Sequence, residues 1–178
     1  MLESKEFLHL PLTRLESLVS EIRATAAPQQ AWEALRDFSV GKMQTQEIGV
    51  IERVRWGKLA LETISKKREA EYIDTAKQVA ESARVRSYLI KEFGPADDDA
   101  TRSPEDLSRY VIDNIETDCA TASEMSAHWR ELEPSQMLPL RRIKNMLTPL
   151  QDIHPYLASH SKLNNELKEW LELIPKLP

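Results

Sequence analysis

TQEIGVIERVRWGKLALETISKKREAEYIDTAKQVAESARVRSYLIKEF, Thr45 to Phe93, is the stretch on which the reading of the fold turns. It contains no proline, and no glycine follows Gly57. Val50, Val54, Gly57, Leu61 and Ile64 recur at steps of three and four, and Ile48, Ile51 and Leu59 widen that face. This is the period of a helix rather than the alternation of a strand. Ser65-Lys66-Lys67-Arg68-Glu69-Ala70-Glu71 then stays polar for two turns. The apolar stripe resumes with Tyr72, Ala76, Val79, Ala83, Ile90 and Phe93. Gly94-Pro95 stops it, glycine suiting a left-handed cap and proline being unable to continue.

The stretch reads as one long helix or two end to end; no strong breaker lies between Ser65 and Ala70, so the expectation is an unbroken helix. At 1.5 Å per residue it would span roughly 70 Å. A compact chain of this length is only about 40 Å across. The expectation is therefore an elongated molecule whose central helix carries an apolar stripe beyond its own chain. Such an overhang needs another protein or a second copy to cover it.

On either side the pattern stays helical. Pro11 opens a helix with Leu12, Leu15, Leu18, Val19, Ile22 and Ala26 on one face, and Ala27-Pro28 ends it. Ala31, Trp32, Leu35 and Phe38 make a short second helix closed by Gly41. Residues 94–102 form an acidic loop. Ser103-Pro104-Glu105-Asp106 is the strongest helix start in the chain, with a capping serine, a proline at the first position and acids at the positive end of the dipole. From Leu107 to Leu132 the apolar positions follow the helical period without a gap, predicting the main antiparallel partner of the central helix. Residues 135–178 are short helices punctuated by prolines: one capped by Ser135, a fresh cap at Thr148, and a last helix from Ser161 to Ile174. Residues 1–10 read as a loose arm.

The fold class is thus all-α, a single domain of five to seven helices around one long central helix. Four glycines in 178 residues suit it, and leave little for a phosphate-cradling loop or a nucleophile elbow. One cysteine excludes an internal disulfide and suits a reducing compartment. No apolar run is long enough for a membrane span. The expected location is cytoplasmic, or nuclear in a eukaryote, with no membrane partner.

Net charge is −5 and unevenly placed. Residues 94–135 carry −8, while 45–93 and 136–178 each carry +2. An acidic chain does not favour non-specific nucleic-acid binding.

Candidate chemistry is thin. Asp97-Asp98-Asp99 lacks the alternating ligands, the bend glycine and the distal glutamate of a calcium loop. Glu124 and His128 share a helix face at i, i+4, but carboxylate-bridged metal bundles use Glu-x-x-His twice. Glu71-x-x-Asp74 and Glu166-x-x-Glu169 resemble fragments of the acidic motifs of all-helical nucleotide pyrophosphohydrolases, in the wrong order for that family. Cys119 lies on an apolar stripe, which predicts a buried, inert thiol. No catalytic, metal or cofactor-binding residue is assigned. The candidate interaction surface is Arg53, Trp56, Lys66, Lys67, Arg68, Arg141 and Arg142, with Trp56 as an exposed aromatic contact. The leading expectation is a non-enzymatic interaction module: a scaffold, adaptor or regulatory subunit. The alternatives are a helical-bundle enzyme with a Glu/His metal site, first among Glu71, Asp74, Glu124 and His128, or nucleic-acid binding through Arg53, Arg55, Lys58 and Lys66 to Arg68.

Overall fold

A computed structural model describes residues 7–96 and 98–178. Among them lie eight α-helices, several 3-10 turns and no strand, so the chain is all-α. The helices are α1 (Leu12–Glu21), α2 (Gln29–Gln44), α3 (Val50–Glu69), α4 (Thr75–Phe93), α5 (Pro104–Ile112), α6 (Cys119–Ala127), α7 (Pro134–Leu147) and α8 (Ser161–Leu171). They divide into two compact units, Met1–Asp74 and Thr75–Pro178. Most of the proposed arm and Asp97 of the acidic loop lie outside the described residues.

The unbroken central helix is not what forms. It ends at Glu69, and α4 begins at Thr75. The termination is a Schellman arrangement: Tyr72 N–H donates to the Lys67 carbonyl at 2.9 Å and Glu71 N–H to the Arg68 carbonyl at 3.0 Å. Glu71 occupies the left-handed position at φ 60°, where glycine would be at ease. That conformation costs a non-glycine residue about 1–2 kcal/mol. Tertiary anchors offset it. Ile73 is buried, which contributes about 2 kcal/mol. The Tyr72 hydroxyl donates to the Ala27 carbonyl at 3.2 Å, adding about 1 kcal/mol. Tertiary contacts thus accompany a break where the local sequence holds no proline or glycine.

In unit 1, α2 and α3 make the most extensive contact. Phe38 meets Trp56 edge-on at 5.5 Å, and Arg53 Nε donates to the Met43 carbonyl at 2.8 Å. As position rises on one helix it falls on the other, so the two form an antiparallel hairpin. Gly41 does not close α2, because buried Met43 lies beyond it. Trp32, fully buried, donates Nε1–H to the Ala24 carbonyl at 2.8 Å and stacks on Phe7 at 6.3 Å. On α1, Glu16 takes a forked pair of bonds from Arg55.

In unit 2, α4 packs most extensively on α7 and next on α5. The core runs through Val79, Ala83, Ile90, Leu107, Val111, Leu140, Leu147 and Leu167. Ser87 Oγ–H donates to the Pro149 carbonyl at 2.6 Å. The Arg86 guanidinium lies over the Tyr110 ring at 5.7 Å and donates to the Ala100 carbonyl at 2.6 Å. Burial lowers its pKa from the usual arginine value.

The single helix expected from Ser103 to Leu132 is also divided. Ser103 caps α5 as predicted, accepting from Asp106 N–H at 3.2 Å. After Ile112 the Asn114 side chain donates to the Tyr110 carbonyl at 2.8 Å, competing with the backbone ladder. Asp118 then caps α6, accepting from Thr121 N–H at 2.6 Å. Thr121 holds the Asp118 carboxyl below the usual carboxylate range. Helix α7 is capped by Glu133 rather than Ser135, in a reciprocal capping box with Gln136. Thr148 opens only a 3-10 turn, with no side-chain cap.

Candidate functional site

The break between α5 and α6 opens a cleft of about 430 Å³ against α8. Its apolar lining is Ile112, Ile115 and Trp170. Trp170 is anchored in the core of unit 2, and the two isoleucines pack partly against it. Around them stand four exposed carboxylates: Glu116 and Asp118 from the α5–α6 turn, Glu166 and Glu169 from α8. Each pair is placed by local geometry. Asp118 is fixed by its role as helix cap. Glu166 and Glu169 lie three apart, on one face of α8.

Cys119, the first residue of α6, also lines the cleft, half-buried rather than enclosed as its place on the stripe implied. Its thiol pKa is raised, first by burial and then by the negative charges of Glu169, Asp118, Glu166 and Glu172. The thiol thus senses a negative potential that carboxylates from two separate elements impose on one spot.

That potential is not arranged as a chelate. No group of three or more His, Cys, Asp or Glu side chains among the described residues is placed to hold a metal ion. Carboxylates spread around an apolar lining suit a cation carried on an apolar stem, such as a lysine or arginine side chain.

The residues singled out from sequence fare differently. Trp56 is 4% exposed and packed on Phe38, so it is not a surface contact. Arg53 at 5% and Lys67 at 1% are likewise buried. Lys66 is half-buried and pairs with Glu69 at 3.7 Å. Arg68 and Arg141 are exposed; Arg142 is half-buried beside Ile143 and Met146. The proposed basic stripe for phosphate therefore loses Arg53 and Lys67 to the interior and commits Arg55 to Glu16. His128 is the C-cap of α6, 3.9 Å from Glu131.

Sequence reasoning missed the cleft. Its one local trace was Glu166-x-x-Glu169, which does line it. The other half depended on seeing that Asp118 starts a helix. The chain matches no protein-family model, and no curated protein or solved structure is significantly similar to it. No helix among the described residues is long and apolar enough to cross a membrane.

Proposed function

We propose that the protein is a helical protein–protein interaction module, an adaptor or regulatory subunit, whose cleft in unit 2 receives a basic, partly apolar segment of another protein. The carrying observation is the convergence of Glu116, Asp118, Glu166 and Glu169 around Ile112, Ile115 and Trp170. A lysine or arginine of the partner meets the carboxylates while its stem and an apolar neighbour cover the lining. Exposed ion pairs contribute little alone, so the apolar lining supplies much of the affinity and the rim supplies selectivity. The protein's natural setting is a reducing compartment, the cytoplasm or nucleus, where the lone thiol stays reduced.

The test is fluorescence anisotropy with two labelled peptides, one alternating lysine and leucine, the other with glutamate in place of lysine. The basic peptide binds and protects Cys119 from alkylation; the acidic one does neither. Glu166→Lys with Glu169→Lys weakens the basic peptide by about tenfold or more, as expected when rim charges are reversed. Equal binding of both peptides, or no effect of the double variant, rejects the proposal.

A further inference from the structure

We propose that the segment filling the cleft in the free protein is α7 of a second copy, with Leu138 on the apolar lining and Arg141 among the carboxylates; this rests on the cleft's role as a receiver of basic, partly apolar segments.

Among the eight helices of the described residues, α7 alone holds no aspartate or glutamate. No acid lies between Glu133 and Asp152, while Arg141, Arg142 and Lys144 all fall in that interval. The cleft is its opposite in charge. Helix α7 turns Leu140, Ile143 and Leu147 into the core of unit 2 and leaves Leu138, Arg141 and Asn145 exposed, at steps of three and four, on its other side. Lys144 donates to the Leu177 carbonyl at 2.9 Å, and Arg142 lines a small pocket with Ile143 and Met146. Leu138 and Arg141 are thus the outward pair, their Cβ atoms about 5–6 Å apart. The other exposed large apolar side chains keep acids close in sequence: Glu6 before Leu8, Glu52 beside Val50 and Ile51, Asp152 one turn before Tyr156. Leu138 has none within a turn.

A cleft of about 430 Å³ takes side chains, not a helix about 10 Å across. Helix α7 of the second copy therefore lies over the mouth. Leu138 covers Ile112 and Ile115, and the Arg141 guanidinium meets Glu116, Asp118, Glu166 and Glu169. Neither Leu138 nor Arg141 lines the cleft of its own chain. Glu116 lines both the cleft and the small pocket that Pro139 and Arg142 share, so cleft and α7 adjoin within unit 2. A two-fold pairing then makes the same contact twice.

Sedimentation velocity on the full-length protein, over a concentration series at low salt, tests it. The wild type passes from monomer to dimer, and Cys119 alkylation slows in step. Arg141→Glu, and separately Glu166→Lys with Glu169→Lys, weaken association by about tenfold or more. Mixed in equal amounts, the two variants associate again. Each mixed pair keeps one native contact and gains one with both charges reversed, a recovery that misfolded variants would not show. The lysine–leucine peptide still binds Arg141→Glu, whose own cleft is intact, and dissociates the wild-type dimer. A wild type that stays monomeric while the peptide binds overturns the pairing and leaves the cleft's role standing; if neither binds, both are rejected. Association that Arg141→Glu leaves unchanged, or a mixture that does not recover, also overturns the proposal.

Discussion

Cys119 is the residue through which the cleft can be read directly. A thiolate there is opposed by burial and by carboxylates on both sides of the cleft. The thiolate is the reactive form, so alkylation follows its population. The rate of Cys119 modification by iodoacetamide should rise with pH along a curve whose midpoint lies above that of a thiol in an unstructured peptide. Added salt should move the midpoint part of the way back, because it screens the carboxylates but not the burial. Glu166→Gln with Glu169→Gln should move it down at low salt and shrink the salt effect to what Asp118 and Glu172 still supply. A midpoint at or below the ordinary thiol value would mean that the carboxylates do not act on this sulfur. The single cysteine makes the measurement unambiguous.

Among the elements, the two helix breaks show where local signals suffice and where they do not. Ser103-Pro104-Glu105-Asp106 was readable because capping, proline placement and dipole charge all point the same way. Ser103→Ala should cost about 1 kcal/mol in urea unfolding, since the Asp106 N–H loses its acceptor. Gly94, at φ 81°, ends α4 where the sequence said it would. Glu71 gave no such warning. Its left-handed conformation goes with the burial of Ile73 and the Tyr72 hydroxyl bond to the Ala27 carbonyl, and Ala27 lies outside any window around residue 71. The α5–α6 break falls between these cases. Asn114 and Asp118 are turn and cap residues, but an apolar period that ran on to Leu132 outweighed them. A continuous helix would have put Glu116 and Cys119 at different angles around one axis, instead of in a turn that α8 faces across more than forty residues of chain.

At the scale of the whole molecule, charge layout does more than balance. Residues 94–135 carry −8 of a total of −5, so the chain is acidic in one region and near neutral or slightly basic elsewhere. Glu116 and Asp118, two of the four rim carboxylates, belong to that region. A field of one sign over a concave site speeds the approach of oppositely charged partners, and ions in solution weaken it. At low ionic strength the field reaches well past the rim; near physiological salt it fades over about 8 Å. Once a partner's lysine lies among the carboxylates with its stem on Ile112 and Ile115, short-range packing governs its departure, and salt matters less. Stopped-flow mixing with the lysine–leucine peptide should therefore show an association rate that falls about tenfold or more between low and physiological salt, while dissociation changes by no more than about twofold. Neutralising Glu166 and Glu169 should flatten the salt dependence of association. If salt instead acted equally on both rates, the cleft would hold its partner by charge alone, and the apolar lining of Ile112, Ile115 and Trp170 would have no part in binding.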